Sequence, residues 1–402
     1  MSTPDPFYKQ TVSYKLEDFP FRFDVSQELF SSHSVDSGTQ RLLRSLVYEK
    51  IGPKNKILDL GCGYGPIGLV LKKMNPQAQV HFVDRDALAL EYAQQNAELN
   101  NLHDNLSFYA SLGYDSVTDT DFDLIVSNIP AKVGEKVLTH FLLDARSHLT
   151  TNGLVVVVVV DAIAEYVEKE LSTDPDVTIL YHHNWPGHHV YHYTFSTQPK
   201  QSTTLAFSSG DYDRQKTNFT FGKHFASLTT TYHLGEFDQL SYETEQLLAN
   251  LDQVTTPLGK VVLIYPGQGN IPVAVAKELR PNDMMLIDRD LQSLVISQEN
   301  LVANGYPESA ITQHHQTDWK VPTDESSKIS AVLGILPEKQ NLAVYQLFLT
   351  QTRQMLEPHG QILICSTSTT LQRFEELVQK EKNFEIFFKE KNKGRMVIGL
   401  RK

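Results

Sequence analysis

The chain contains very little cysteine and no long apolar run. Its 402 residues include only Cys62 and Cys365, which excludes a disulfide framework and favours a reducing compartment such as the cytoplasm. No uninterrupted apolar stretch approaches the roughly 20 residues that a membrane-spanning helix needs. The opening residues, MSTPDPFYKQ, have no basic stretch leading into an apolar one, so no secretory signal is expected. The sequence therefore predicts a cytoplasmic protein without a membrane segment.

Positive charge is also scarce. The chain has 36 Lys and Arg against 48 Asp and Glu, and the resulting net charge of −12 argues against a protein that coats polyanions in general. The one basic concentration is the segment 380–402, which has 8 basic and 3 acidic residues. This C-terminal basic segment is either a solvated, lysine-rich sheet edge or a local surface for RNA.

A long internal repeat is present. The stretch KILDLGCGYGPIG from Lys56 aligns with KVVLIYPGQGNIP from Lys260, and the same offset of 204 residues aligns VDRDALALEYAQQNAELNN with IDRDLQSLVISQENLVANG. One register that persists across glycines, aspartates and asparagines indicates a tandem duplication. The length of the chain also favours two domains.

Each copy reads as an alternating β/α unit. In the first copy, short apolar strands alternate with amphipathic stretches, and a helix is predicted to run to Asn152-Gly153 before the buried strand LVVVVVV. VTILYHH and HVYHYTF, around Pro186-Gly187, favour a closing antiparallel hairpin. We expect domains at 1–198 and 221–402, joined by a polar, turn-rich connection at 199–220. The sequence makes no prediction about oligomeric state.

The stretch LDLGCGYG follows a strand and opens a helix. Gly61, Gly63 and Gly65 allow close approach of a ligand to the backbone, and the helix behind them offers free N–H groups. Asp84 ends the next strand about 20 residues later, where a carboxylate can accept hydrogen bonds from both hydroxyls of a ribose. This arrangement favours a nucleoside-containing ligand.

Together with NIPAKVG and LFSSHSVDSGTQRLL, these stretches resemble the class I S-adenosylmethionine-dependent methyltransferases. They are most similar to the "small" methyltransferase domain subgroup, typified by ribosomal small-subunit guanine-N2 methyltransferases. The resemblance implies two tandem Rossmann-like α/β domains, each with a mostly parallel seven-stranded sheet. It also implies S-adenosylmethionine as cofactor, bound by Asp36, Thr39, Asp59, Gly61, Cys62, Gly63, Gly65, Asp84, Arg85, Ser111, Leu112 and Asn128.

The resemblance assigns catalysis to Asn128, Ile129 and Pro130. A side-chain carbonyl and a backbone carbonyl that accept both N–H bonds of an amine can orient its nitrogen towards the methyl donor. Two positions depart from the family pattern: Ile129 replaces a proline, and Ala131 stands where an aromatic residue often stacks on a base. The expected function is N-methylation of an exocyclic base amine in ribosomal or other structured RNA. Methylation of a protein glutamine or a small amine, and binding of RNA without catalysis, remain alternatives.

The second copy lacks the residues that carry this chemistry. Leu263, Tyr265 and Pro266 replace the aspartate, the first glycine and the cysteine of the loop, and Ile335 replaces Asn128. We therefore expect a fold without methyl transfer, which stabilises the first copy or binds substrate through the C-terminal basic segment.

The histidine-rich stretch YHHNWPGHHVYHY suggests a metal site at first sight. A hairpin would divide its histidines between two faces, and no carboxylate or cysteine cluster completes a ligand set. We expect no metal. Histidines near the substrate mouth, with Trp185 as a stacking surface, are the favoured interpretation.

Overall fold

The computed structural model describes residues 5–197, 205–255, 258–321, 329–338 and 340–402. The chain divides into two compact units, Met1–Tyr212 and Asp213–Lys402. The expected connection at 199–220 lies partly outside the described residues, and its end differs from expectation because Asp213–Phe221 is a strand. Lys216, Asn218 and Thr220, on the face of this strand opposite buried Phe219, are exposed, and polar residues of this kind suggested a linker.

The first unit is an α/β sandwich preceded by a separate hairpin. The strands of its main sheet lie in the order β5-β4-β3-β6-β7-β9-β8, parallel except for β9, which runs antiparallel to both neighbours. Its elements are β1 (Tyr8–Leu16), β2 (Phe19–Ser26), α1 (Ser37–Tyr48), β3 (Lys56–Leu60), α2 (Pro66–Met74), β4 (Gln79–Asp84), α3 (Ala87–Leu99), β5 (Leu106–Ala110), β6 (Phe122–Asn128), α4 (Glu135–Leu143), β7 (Leu149–Val160), α5 (Asp161–Thr173), β8 (Val177–Trp185) and β9 (His188–Phe195).

The prediction of a long helix that ends at Asn152-Gly153 is wrong. Helix α4 ends at Leu143, a short 3-10 turn follows, and Gly153 lies inside β7. A Cβ on Gly153 would lie 2.9 Å from the carbonyl oxygen of Phe122. This glycine is therefore required by the close approach of two strands and is not a helix terminator.

The central strands explain the unbroken apolar runs. Val155 to Val159 are at most 1% exposed, as expected of a parallel strand that has helices on both faces. Helix α2 packs closely on the sheet because Gly68 has no side chain, and a Cβ there would lie 2.3 Å from the Phe82 ring. The same close packing brings the start of α2 against the end of β3, where the glycine loop lies.

The second unit repeats the fold strand for strand. Its sheet has the order β14-β13-β12-β15-β16-β18-β17, again with one antiparallel strand inside a closing hairpin. The elements are β10 (Asp213–Phe221), β11 (His224–Thr231), α6 (Tyr242–Leu248), β12 (Lys260–Ile264), α7 (Asn270–Glu278), β13 (Asp283–Asp288), α8 (Leu291–Ala303), β14 (Ile311–His315), β15 (Ile329–Ile335), α9 (Leu342–Met355), β16 (Leu356–Thr367), α10 (Ser368–Glu381), β17 (Glu385–Asn392) and β18 (Arg395–Arg401). The predicted fold class and duplication are confirmed.

The repeated asparagines have a structural role. In the first unit, the amide of Asn96 donates to the carbonyls of Asp24 and Tyr64, which fastens the β1–β2 hairpin and the glycine loop to α3. In the second unit, Asn300 donates to the carbonyls of Thr229 and Gln268 in the same way. Each unit therefore has an N-terminal hairpin, which the sequence did not reveal, held by a buried asparagine.

No helix in the described part of the chain has the length and apolarity to cross a membrane.

Candidate functional site

The glycine loop between β3 and α2 forms an open backbone cradle. Gly61, Gly63 and Gly65 all have positive φ, at 73°, 55° and 89°. A Cβ built on Gly61 or Gly63 would meet no atom within 4 Å, so space lies open in front of the loop. Gly65 caps α2 without a side-chain hydrogen bond. Pro66 has no N–H and the N–H of Gly68 donates to Asp59, which leaves the N–H of Ile67 in this turn available to a ligand. The loop can therefore receive a ligand close to its backbone.

Cys62 contributes its backbone to this loop rather than a reactive thiol. Its N–H and that of Gly61 both donate to the carbonyl of Val83 at the end of β4, at 3.0 and 2.8 Å. The side chain is 4% exposed, and burial, followed by the nearby carboxylates of Asp84 and Asp59, raises the pKa of the thiol well above its ordinary value. The cysteine is thus a compact, protonated loop residue.

Asp84 projects from the end of β4 beside the loop. Its two carboxylate oxygens accept hydrogen bonds from the N–H groups of Gly63 and Asp86, both at 2.9 Å. Burial raises the pKa of Asp84, and these hydrogen bonds and the adjacent Arg85 oppose the rise. Each oxygen keeps a further lone pair, so the carboxylate can accept two hydroxyl hydrogen bonds from a ribose.

Asp59 lies beneath the cradle and is fully buried. Its Oδ2 accepts a hydrogen bond of 2.7 Å from the N–H of Gly68, whereas its buried Oδ1 has no partner. Burial raises the pKa of this carboxyl to about 7. An orphaned acceptor under an open loop fits a ligand that brings a cation, such as the ammonium of an amino acid.

Asn128 ends β6 with its side chain fixed in one orientation. Its amide nitrogen donates to Oδ2 of Asp36 at 3.0 Å and to Oγ1 of Thr39 at 3.1 Å. A carboxylate can only accept, so the nitrogen of the amide must face Asp36. Among the described residues, no hydrogen bond to Oδ1 of Asn128 is found. The amide oxygen is therefore available to accept an N–H group.

Asp36 and Thr39 belong to the start of α1. Oδ2 of Asp36 also accepts from the N–H groups of Gly38 and Thr39, which makes Asp36 the N-cap of this helix. The sequence predicts that both residues bind the methyl donor, S-adenosylmethionine. The structure places them behind Asn128, where they hold its amide in position.

The segment after Asn128 is anchored to the sheet. The N–H of Ile129 donates to the carbonyl of Val158 at 3.0 Å, and the Ile129 side chain is 2% exposed. Oγ of Ser127 donates to the carbonyl of Leu60, which joins this segment to the end of β3 and so to the glycine loop. Pro130 fixes the next φ angle, and Ala131 is exposed without an aromatic ring.

Ser111 and Leu112 follow β5, next to Asp84. The N–H of Ser111 donates to the carbonyl of Asp84 at 3.1 Å, and its hydroxyl accepts from the N–H of Ser116. Leu112 is 4% exposed. These contacts bring the predicted adenine-side loop to the same edge of the sheet as the ribose-side carboxylate.

The five histidines of the β8–β9 hairpin are separated, as expected for alternate strand positions. His192 is buried, hydrogen-bonds Oγ of Ser45 at 2.7 Å, and has its pKa lowered by burial to about 4. His182 and His189 contact each other on the opposite face of the sheet. No cluster of three metal-ligating side chains occurs in the part of the chain that the structure describes.

His188, one of the histidines that the sequence places near the substrate mouth, lies beside Gly38 and Asp36. A Cβ on Gly38 would lie 2.8 Å from Cδ2 of His188 and 2.9 Å from Oδ2 of Asp36. Arg41 donates to the carbonyl of Pro186 and contacts Nδ1 of His188 at 3.0 Å. The turn of the β8–β9 hairpin is thereby fastened beside the carboxylate that holds Asn128.

The equivalent site of the second unit keeps the backbone but not the space. Gly267 and Gly269 have φ values of 59° and 88°, close to those of their counterparts in the first unit. Tyr265 adopts φ 49° at the position of Gly61, and its ring lies edge-on to buried Trp319, with centroids 6.3 Å apart. The first glycine of the cradle is thus replaced by a residue with a large ring.

In the second unit, the carboxylate of Glu236 accepts hydrogen bonds at the starts of α6 and α7. Oε1 of Glu236 accepts from the N–H of Ser241 and the hydroxyl of Thr244, and Oε2 accepts from the amide of Asn270 at 3.3 Å. Ser241 and Thr244 align with Asp36 and Thr39. The groups that position Asn128 in the first unit are therefore used for an internal contact in the second.

Comparison with known proteins agrees with this architecture. The family model described as "Methyltransferase small domain" matches residues 21–172 and 225–393. The chain is 34% identical over 146 residues to an uncharacterized Bacillus subtilis protein, YbxB, covering 36% of this chain and 71% of that protein. It is 39% identical over 129 residues to the ribosomal RNA small subunit methyltransferase C of Haemophilus influenzae, covering 31% of this chain and 37% of that enzyme.

A further relative and a solved structure are also similar to this chain. A ribosomal RNA large subunit methyltransferase G of Shewanella oneidensis is 28% identical over 155 residues, covering 37% of this chain and 40% of the enzyme. The solved structure of a T. Thermophilus 16S rRNA N2 methyltransferase in complex with AdoMet and guanosine superposes with a TM-score of 0.66 at 16% identity, over 98% of both chains. The chain thus spans about two fifths or less of the named ribosomal RNA enzymes by sequence, and the structural likeness shows a shared two-unit fold.

Proposed function

The chain belongs to the methyltransferase small domain family, and from that premise we propose that its first unit transfers a methyl group from S-adenosylmethionine to an exocyclic amine of a ribosomal RNA base, with guanine N2 as the target. The observation that carries this proposal is the amide of Asn128. Its nitrogen is committed to Asp36 and Thr39, so its oxygen faces outward as an acceptor at the carboxyl end of β6.

The residues of the first unit fit the cofactor in three places. The open space before Gly61 and Gly63 suits the methionine part, and the unpartnered Oδ1 of Asp59 suits its ammonium. The carboxylate of Asp84 suits the ribose hydroxyls, and the Ser111–Leu112 loop suits the adenine. S-adenosylmethionine supplies an electrophilic methyl group on a sulfonium, so the protein needs no metal for this chemistry.

The role of Asn128 is to prepare the acceptor. A base amine is a poor nucleophile because its lone pair is delocalised into the ring. Hydrogen bonds from both N–H groups to Oδ1 of Asn128 and to the carbonyl of Ile129 would turn the lone pair away from the ring and towards the donor. Since Asn128 is already held by two hydrogen bonds, this orientation costs little rearrangement during the reaction.

Support for a ribosomal RNA substrate comes from the relatives. Enzymes named as methyltransferases of the small and of the large ribosomal subunit are each similar to part of this chain. The proposed location is the cytoplasm, where ribosomal RNA is available. The second unit, without the amide and with Tyr265 in its loop, is proposed to bind RNA through the C-terminal basic segment and not to transfer methyl groups.

One observation favours a different acceptor. Ala131 supplies no ring to stack on a base, so the amide nitrogen of a protein glutamine would fit the same pair of carbonyl acceptors. This alternative uses the same donor site and the same Asn128.

The test is incubation of the protein with methyl-labelled S-adenosylmethionine and, separately, ribosomal subunits, protein-free ribosomal RNA and ribosomal proteins. We expect label in RNA, as N2-methylguanine after nucleoside digestion. Label in protein only would establish the alternative acceptor. Label in no fraction, with donor binding intact, would refute methyl transfer to either.

A further inference from the structure

A row of rings lies along β8, the edge strand of the first unit, with His183 exposed and Tyr181 and Trp185 partly exposed. Tyr181, His183 and Trp185 occupy alternate positions and therefore share one face of the strand. The rings of Tyr181 and His183 are nearly parallel at 13°, with centroids 6.3 Å apart, and the rings of His183 and Trp185 are 4.0 Å apart. We call these three residues the ring ladder. Because β8 is an edge strand, no further strand of this sheet lies beyond the ladder.

The ring ladder is continuous with the candidate site. Trp185 pairs in register with His188 across the hairpin, and the ring of His188 lies against Gly38 and close to Oδ2 of Asp36. That same oxygen accepts the hydrogen bond from Asn128. A single file of side chains thus connects the proposed acceptor site with the outer edge of the sheet.

The opposite face of the hairpin differs in both packing and charge. His182 stacks on Tyr191 with centroids 4.2 Å apart and hydrogen-bonds His189. The carboxylate of Asp161 lies 3.5 Å from His189, and Glu168 acts electrostatically on His182. Two carboxylates therefore lie beside the rings of that face, which disfavours an anionic partner.

We propose that the ring ladder is a stacking surface for the unpaired nucleotides that flank the target base in single-stranded RNA. This proposal rests on the proposed function and names the part of the substrate that the glycine loop and Asn128 do not contact. Exposed aromatic rings on a strand bind successive bases with little regard to sequence, since every base has a π-face. The ladder also supplies the stacking that Ala131 does not provide.

Charge near the ladder suits a phosphate backbone. Arg41 is fixed at the hairpin turn by its contacts with Pro186 and His188, at the junction of the ladder and the acceptor site. Lys132, which is exposed, lies four residues after Asn128 in the chain. A nucleotide strand that crosses Asn128 towards β8 would therefore pass a fixed guanidinium before reaching Trp185.

The two tryptophans allow a direct test. Trp319 is 2% exposed in the second unit, so the Trp319→Phe variant leaves Trp185 as the sole tryptophan reporter. In this background, titration with an unstructured oligoadenylate of about eight nucleotides should quench the Trp185 emission. Loss of one stacked base in Trp185→Ala should weaken binding of the oligonucleotide roughly 5- to 150-fold, as measured by fluorescence anisotropy of a labelled oligonucleotide. Tyr181→Ala should weaken binding in the same direction.

The matched control is His182→Ala, on the same strand but the opposite face, which should leave oligonucleotide affinity unchanged. Circular dichroism and calorimetric binding of S-adenosylmethionine report whether each variant is folded and retains the donor site. Unquenched Trp185 emission, or equal losses in Trp185→Ala and His182→Ala, would overturn the stacking proposal even if RNA is methylated. If ribosomal RNA is not methylated but Trp185 is quenched by RNA, the proposed reaction fails and the RNA surface stands.

Discussion

Asn128 owes its orientation to residues distant in the chain. Its amide would be free to rotate in an ordinary strand exit, but Asp36 and Thr39 accept both of its N–H bonds. The hydrogen bonds from the start of α1 to Asp36 fix that carboxylate in turn. Asn128 and Asp36 are therefore coupled, and in the proposed reaction Asn128 contacts the acceptor amine while Asp36 holds Asn128 in position.

We expect Asn128→Ala to lower kcat by about 100-fold or more, because it removes a preorganised acceptor from the reacting amine. The affinity for S-adenosylmethionine should change by less than about twofold, since the glycine loop and Asp84 are untouched. Methyl-transfer assays beside isothermal titration calorimetry separate the two effects.

Asp84→Ala should give the opposite pattern, with donor binding lost before any effect on chemistry can be measured. Equal loss of donor affinity in both variants would contradict the division of roles between these two residues.

Asp59 predicts a pH dependence of stability. Its pKa of about 7 in the folded protein exceeds the ordinary 3.8, so the folded state holds a proton that the unfolded chain has already lost between these values. Stability should therefore fall as the pH rises from about 4 to 7. Thermal unfolding of wild type and Asp59→Asn across this range should show a smaller fall in the variant; an unchanged profile would contradict the assignment. Asp288 has a similarly raised pKa and remains in both proteins.

At the scale of elements, the glycine loop of the first unit and its counterpart in the second unit share one backbone course but differ in their side chains. Both loops begin with an N–H that donates to the next strand along the chain, from Gly61 to the carbonyl of Val83 in β4 and from Tyr265 to that of Ile287 in β13. Both then turn through glycines of matching φ into a helix. The two loops therefore follow the same course, and their first residue differs, glycine in one and tyrosine in the other.

This equivalence predicts that Gly61→Tyr folds but does not bind S-adenosylmethionine. Tyr265 shows that the backbone tolerates tyrosine, at a cost of about 1–2 kcal/mol for the left-handed conformation. The ring would occupy the open space in front of the loop. Calorimetry should show no donor binding in a variant whose circular dichroism is unchanged.

The matched control is Tyr265→Gly in the second unit, which should leave methyl transfer at the wild-type rate. Full donor affinity in Gly61→Tyr would contradict the proposed position of the cofactor.

At the scale of the whole molecule, the C-terminal basic segment is less charged than its composition indicates. Lys389 pairs with Glu375, and Arg395 pairs with Glu243, so part of its positive charge is neutralised within the second unit. Lys391 and Lys393 are exposed at the tip of the β17–β18 hairpin. These two lysines are the part of the segment best placed to meet a phosphate backbone.

Replacement of Lys391 and Lys393 by alanine should weaken binding of ribosomal RNA and lower the slope of log affinity against log salt concentration by about 1 to 2. The control is alanine at Lys15 and Lys216, two exposed lysines outside the segment. Filter binding over a salt series measures both slopes. An equal slope in the two double variants would leave the segment as a solvated sheet edge.

Two predictions made from local sequence are wrong for the same reason. Asn152-Gly153 predicts a helix end on local grounds, but Gly153 is required by the carbonyl of Phe122 on a neighbouring strand. The polar stretch before Phe221 predicts a linker, but its hydrogen bonds are made with β11. In each instance the deciding contact is made with a neighbouring strand, which local propensity does not contain.

The sequence by itself determined the duplication, the β/α order and the glycine loop, because spacing and periodicity are written locally and repeat at a fixed offset. It also determined which copy retains the asparagine. Only the tertiary structure decided that Asp36 and Thr39 face Asn128, that Asp59 keeps an unpartnered oxygen, and that Trp185 and His188 continue towards the same site. These arrangements require the ends of particular strands and the starts of particular helices to meet at one edge of the sheet. Packing across the whole unit decides which of them meet there.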